Sequence, residues 1–154
     1  MSTRTAPLPS AAGPADRAGA IQLGIGVLAA VDLVVAVFMA VAPIAFFKAI
    51  GPFGAFNAHY ARDVATFEAA LGIGLALALS RPTWRVPMLA LSAVQYALHS
   101  ANHLLDIDTA HPAWAGYLDF VSLLAATLLL VWLTRLAAAE QPSTDPNIRK
   151  GGSP

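Results

Sequence analysis

Apolar residues are concentrated in four long stretches, and a short polar or proline-containing segment separates each stretch from the next. The stretches cover approximately residues 21–47, 58–80, 86–105 and 113–139. A helix needs roughly 20 apolar residues to cross a hydrocarbon core about 30 Å thick. Each stretch reaches that length, so the pattern predicts four transmembrane helices joined by short connections.

Both ends of the chain lack this apolar pattern. Residues 1–20 contain many Ala and Pro residues, and residues 140–154 contain Pro, Gly and polar residues. Segments that can bury so little apolar surface usually stay disordered. The expected architecture is therefore all-α: an integral membrane four-helix bundle over residues 21–139, with a disordered terminus on each side.

Composition favours a membrane protein and excludes several other classes. Hydrophobic residues make up 57% of the 154 residues and charged residues only 12%, whereas soluble domains carry about a quarter charged residues. The formal net charge is zero, which argues against a nucleic-acid partner. Because the sequence has no cysteine, it can form neither disulfides nor thiolate metal ligands.

Charge placement predicts how the spans are oriented in the lipid bilayer. If the spans alternate, seven of the nine Lys and Arg residues fall on the side that holds both termini: Arg4, Arg17, Arg81, Arg85, Arg135, Arg149 and Lys150. Only Lys48 and Arg62 lie on the other side. The positive-inside rule then makes the N- and C-termini cytoplasmic.

Histidine and carboxylate side chains lie where the second span begins and the third ends. His59 and Asp63 open the second span, and His99 and His103 close the third. Because a helix rises about 1.5 Å per residue, two antiparallel spans place His59 level with His103 and Asp63 level with His99. Residues four apart share a helix face, so we expect the four side chains to converge at the non-cytoplasmic end.

Three imidazoles and a carboxylate are donors that suit zinc, copper, iron or manganese. Such a metal would serve a redox or hydrolytic step as a redox centre or a Lewis acid. Gln95 continues the same stripe one turn deeper, while Asp106 and Asp119 are candidates for a further ligand or for orienting a coordinating histidine.

Two alternatives to a metal remain open at this site. The first is a haem held by histidines from facing helices. The second is a non-enzymatic membrane subunit or assembly factor whose histidines only make hydrogen bonds to neighbouring helices and interfacial water.

Two further acids lie deeper in the predicted spans, Asp32 in the first and Glu68 in the second. An ionised carboxylate is costly at this depth, so Asp32 should face the interior of the bundle. One interpretation is a protonated or hydrogen-bonded contact between helices. The other is a proton path through Asp32, Glu68 and Asp119, as a proton-coupled small transporter would need.

The connection between the first two spans, residues 46–56, is aromatic, apolar and interrupted by glycine. Pro43 precedes it and is expected to kink or end the first span. We expect this connection to lie in the outer interface. As a lid beside the histidines it would favour a lipid-soluble ligand such as a quinone or an isoprenoid, and simple interfacial anchoring is the alternative.

Several short segments are distributed through the predicted spans and their connections: Pro43, Gly51-Pro52, residues 57–63, Phe67-Glu68, Gly72 and residues 99–106. Their arrangement resembles small four-span bacterial membrane proteins that are broadly DoxX-like, and the resemblance covers about residues 21–136. It implies a multi-pass protein of the bacterial inner (plasma) membrane with a link to quinone-connected redox and sulfur metabolism. The high Ala and Pro content is similar to that of a GC-rich bacterium such as an actinobacterium, and a chain this small is expected to form a homo-oligomer.

Overall fold

A computed structural model describes residues 13–141, and within that range the chain is helical with no β-strand. The elements are α1 (Pro14–Val41), α2 (Pro43–Ala49), α3 (Ala58–Ser80), α4 (Pro82–Leu105), a 3-10 turn (Ile107–Thr109) and α5 (Ala113–Ala139). The all-α prediction is confirmed. Three of these helices, α1, α3 and α5, are long and apolar enough to cross a membrane, which indicates a membrane protein.

The first helix starts earlier than the apolar pattern predicts. The Gly13 backbone N–H donates to Asp16 Oδ2 at 3.1 Å, and Pro14 occupies the first helical position, where its fixed φ fits and its missing N–H is not needed. Residues 14–20 are therefore helical rather than disordered. The rest of the predicted disordered termini, residues 1–12 and 142–154, lies outside the described residues.

Proline residues divide the apolar stretches into helices. Of the two outcomes expected for Pro43, the structure has the second: α1 ends at Val41, and Pro43 opens the separate helix α2. Pro82 likewise opens α4, four residues before the predicted start of the third span. Each proline lacks the N–H that a preceding helix would need to continue, so each begins a new helix.

Helices α1 and α3 pack along each other, as do α4 and α5, and α3 also contacts α4. The apolar core fills the half of the bundle nearest Arg81, where α3 connects to α4. Its fully buried side chains are Ile21, Ile25, Leu75, Leu89, Leu130 and Leu133. The other half, which we call the histidine end, contains the polar interior residues described below.

At the histidine end the two long connections contact each other directly. Phe53, between α2 and α3, forms an isolated antiparallel bridge with Ala110, between the 3-10 turn and α5. The His111 N–H donates to the Pro52 carbonyl at 3.1 Å. The end of α4 and the start of α3 therefore lie at the same end of the bundle.

Helix α4 turns a row of large apolar side chains outward and, in its second half, polar side chains inward. The outward apolar residues recur at intervals of three, four or seven: Trp84, Leu91, Val94, Leu98 and Leu105. Ser92 and Ser100 are buried, and Tyr96, His99 and His103 are half-buried. This arrangement is the reverse of a helix on the surface of a soluble protein.

Candidate functional site

The side chains of His99 and His103 converge on successive turns of α4. Their Nε2 atoms lie 3.1 Å apart, and their ring centroids are separated by 4.8 Å. Both rings are half-buried. The convergence follows from helix geometry, because residues four apart stand one above the other on the same face.

Phe53 covers one side of this histidine pair. Its ring meets the His103 ring edge to face, with the centroids 4.6 Å apart. The bridge between Phe53 and Ala110 holds the aromatic connection in this place. The segment expected to form a lid thus supplies one aromatic side chain that contacts a candidate ligand.

The other two candidate ligands form a separate pair on the surface of α3. His59 Nε2 lies 3.3 Å from Asp63 Oδ2, and the side chains are 83% and 59% exposed. The two residues are near the first turns of α3, which begins where the Asn57 side chain accepts from the backbone N–H groups of His59 and Tyr60. Glu68 lies on the opposite, buried face of α3, as nine residues at about 100° each require.

The four predicted ligands therefore form two pairs. In residues 13–141 no group of three or more His, Cys, Asp and Glu side chains is placed to hold a metal ion. A site made of His59, Asp63, His99 and His103 together stays a prediction.

The three neighbouring candidates occupy different environments. Asp106 directly follows the last residue of α4, and its carbonyl accepts from the Thr109 N–H and hydroxyl at 2.9 and 2.8 Å. Its side chain is exposed. Gln95 is half-buried one turn before His99. Asp119 Oδ2 and His103 Nδ1 are both buried without a hydrogen-bond partner in the described part of the chain.

A second polar site lies in the interior between α1, α3 and α4. Asp32 is 1% exposed and accepts a hydrogen bond at its Oδ1 from the Tyr96 hydroxyl at 2.5 Å. Glu68 is also buried and lies one helical turn before Gly72, where a Cβ atom would be 3.1 Å from Asp32 Cβ. We call Asp32, Glu68 and Tyr96 the carboxyl cluster.

The structure places Asp32 and Glu68 at the close approach of α1 and α3, but within the described residues no hydrogen bond links either Glu68 or Asp119 to Asp32. Sequence reasoning missed Tyr96. The signal was present, because Ser92, Tyr96, His99 and His103 follow one another at spacings of four, three and four residues and so share one face of α4.

Comparisons with known protein families, with characterised proteins and with solved structures find no match to this chain. The DoxX-like resemblance therefore stays a prediction.

Proposed function

We propose that this protein is a four-span membrane protein that binds a divalent transition-metal ion through His99 and His103. The observation that carries the proposal is the 3.1 Å separation of the two Nε2 atoms. With metal–nitrogen bonds of about 2.0–2.1 Å, that separation corresponds to a nitrogen–metal–nitrogen angle of roughly 95–100°. Such an angle lies between octahedral and tetrahedral values, so the pair suits bidentate coordination of zinc, copper, iron or manganese.

Two histidines leave coordination positions for other groups. The His59 and Asp63 side chains are exposed at the start of the neighbouring helix α3 and are the ligands that the sequence pattern predicts for completing the site. They would have to rotate toward α4, which exposed side chains do readily. Any position left open would accept water or a substrate oxygen.

We propose that α4 crosses the membrane in addition to α1, α3 and α5, on the basis of two observations. The apolar outer face of α4 suits contact with lipid, because its polar residues face the protein. The Phe53–Ala110 bridge also joins the connection that precedes α3 to the connection that follows α4. If α4 lay flat on the opposite membrane surface, these two connections could not meet. Four spans and the bias in Lys and Arg residues would place both termini in the cytoplasm of a bacterium.

The chemistry we propose takes place on the outer side of the plasma membrane. A metal under Phe53 would sit beside an aromatic, apolar connection, which favours a lipid-soluble substrate such as a quinone. The metal would act there as a redox centre or as a Lewis acid for hydrolysis. A homo-oligomer stays a prediction.

A haem is less well supported by this geometry. Axial ligation by histidines of facing helices needs imidazoles on opposite sides of a ring, whereas His99 and His103 point their Nε2 atoms at each other from one helix. The other alternative, an assembly factor or subunit with structural histidines, predicts that the His99–His103 contact is only a hydrogen bond.

The test is the metal content of full-length protein purified gently in detergent. We expect about one metal ion per chain in the natural protein and loss of most of it in both His99→Ala and His103→Ala. His111→Ala is the matched control, because His111 is exposed in a connection. Equal metal content in all four proteins, or none in any of them, would exclude metal binding by this pair.

Two additional measurements separate the remaining alternatives. His59→Ala should lower the affinity for added Zn²⁺ if the α3 pair completes the site, and should leave it unchanged if it does not. A Soret band in the visible spectrum, lost in His99→Ala, would favour haem instead.

A further inference from the structure

We infer that Asp32 and Glu68 hold one exchangeable proton between them in the membrane interior, with Tyr96 fixing the orientation of Asp32. The inference does not depend on metal binding at His99 and His103. It rests on the burial of the two acids, on their mutual proximity and on a hydrogen-bond pattern that leaves one oxygen of Asp32 unpaired.

Within residues 13–141 the two carboxyl groups have no positive partner. Asp32 is in the second half of α1 and Glu68 near the middle of α3, both within helices long and apolar enough to cross a membrane. Among residues 13–141 the ion pair found is His59–Asp63, at the surface. Two nearby carboxylates cannot both stay ionised in a low-dielectric interior, so the pair has to bind at least one proton or cation.

The hydrogen bonds of Asp32 indicate which oxygen atom is free to bind that proton or cation. Tyr96 donates to Oδ1, while Oδ2 is buried and has no partner in the described residues. In the hydrogen-bonding arrangement of the structure a proton fixed on Oδ2 would have no acceptor, and a bare Oδ2 would be a charge without a counterion. Glu68 lies one turn before Gly72, which contacts Asp32, so a rotation of its side chain toward Oδ2 would let one proton exchange between the two acids and remove both problems.

A proton fits this place better than Na⁺ does. Sodium sites in membrane interiors use backbone carbonyls freed where a helix is unwound, but α1, α3 and α4 are continuous at this level. The oxygen atoms available to bind a cation at this level therefore belong to side chains. Ser92 supplies one more, since it is fully buried, has no hydrogen-bond partner in the described chain and lies one turn before Tyr96 on the same face of α4.

The buried and half-buried titratable groups in this half of the bundle come from four helices. Helix α1 contributes Asp32, α3 contributes Glu68 and α4 contributes Tyr96, with His99 on the next turn of α4. Helix α5 contributes Asp119, whose Oδ2 is buried and unpaired. Protonation of the pair is therefore expected to occur in two coupled steps rather than one.

The test is infrared spectroscopy of the full chain reconstituted in liposomes, following the C=O band of protonated carboxylic acids as pH is varied. In the natural protein we expect a band that titrates in two steps and shifts in D₂O. Asp32→Asn and Glu68→Gln should each remove one of these two steps, and the double variant should lose both, leaving only the titration of the remaining carboxyl groups. Asp108→Asn and Glu140→Gln are the matched controls, because both residues are exposed.

Two variants test the role of Tyr96. Tyr96→Phe should move the titration midpoint of the band, whereas Tyr60→Phe, on the exposed face of α3, should not. A band that persists unchanged in the double variant, or that is missing at every pH, overturns the inference. Loss of the band when Na⁺ replaces choline at fixed pH overturns it as well, because the site would then take a metal cation.

A second measurement avoids dependence on the folding of these variants. Dicyclohexylcarbodiimide enters lipid and adds to a protonated buried carboxyl, which gives a stable N-acylurea that mass spectrometry can locate. In the natural protein we expect an adduct on the Asp32 or Glu68 peptide, with a yield that falls as pH rises. No adduct on either peptide at any pH would contradict the proposed proton.

Discussion

At the scale of single residues, Asn57 decides where α3 begins and so where His59 and Asp63 stand. Its side-chain oxygen accepts from the His59 N–H at 2.9 Å and the Tyr60 N–H at 3.3 Å. These N–H groups have no partner inside the helix, and a capping side chain replaces the water that would otherwise bind them.

Replacement of this cap should weaken the first turn of α3. We expect Asn57→Ala to lower the free energy of unfolding in detergent by about 0.5–2 kcal/mol. Asn57→Asp should keep most of the stability, because a carboxylate caps equally well. Identical denaturation midpoints for Asn57→Ala and the natural protein would mean that the cap contributes nothing here.

Phe53 is the residue that most directly affects access to the histidine pair. Its ring lies against His103, so we expect Phe53→Ala to speed the removal of bound metal by a chelator several-fold. Phe56→Ala is the matched control, because the Phe56 ring packs against Phe47 instead. Equal stripping rates for the two variants would show that Phe53 does not protect the metal.

At the scale of elements, α1 and α3 approach each other closely at Gly72. A Cβ atom there would lie 2.8 Å from Leu33 Cγ and 3.1 Å from Asp32 Cβ. The same close approach brings Glu68, one turn earlier on α3, toward Asp32. Helix packing in membranes depends on such small residues at the interface.

An alanine at this position should therefore separate the two helices. We expect Gly72→Ala to destabilise the bundle by about 1–3 kcal/mol, as overpacking generally does. Gly26→Ala on α1 has no atom within 4 Å of the new methyl group and should stabilise the helix by about 0.5–1 kcal/mol. Thermal denaturation in detergent compares the two, and a Gly72→Ala protein as stable as Gly26→Ala would contradict the packing.

The bounds of α3 and α5 could be predicted from the sequence because local signals mark them. Asn57 caps α3, Pro82 stops it, and Pro112 precedes α5. The early start of α1 was missed because residues 14–20 carry no apolar signal and depend on the Gly13–Asp16 contact.

The rotation of α3 about its axis could not be predicted from the sequence. The rise per residue predicts similar levels for His59 and His103, but α3 turns its Ala65, Glu68 and Gly72 face toward its neighbours, and the His59 side chain is exposed. Which face of a helix points inward depends on packing across several helices. Periodicity along one helix does not contain that information, and it could not show that Tyr96 reaches Asp32.

At the scale of the whole molecule, the number of spans determines on which side the C-terminal end of α5 lies. The absence of cysteine makes single-cysteine variants clean reporters of sidedness. With four spans, Ser80→Cys and Gln141→Cys should react with a membrane-impermeant maleimide only after the cells are opened, whereas Asp108→Cys should react in intact cells. Labels at positions 80 and 141 on opposite sides would mean that α4 does not cross.

The inward polar face of α4 also has a consequence for how the protein is made. With Arg85, Gln95, His99 and His103 in one helix, its transfer alone into lipid is much less favourable than that of α1 or α5. In the four-span arrangement α4 can enter the bilayer only when α3 and α5 are there to receive its polar side chains. Membrane integration of this chain would then be cooperative, and a nascent chain that stops before α5 would leave α4 outside the bilayer.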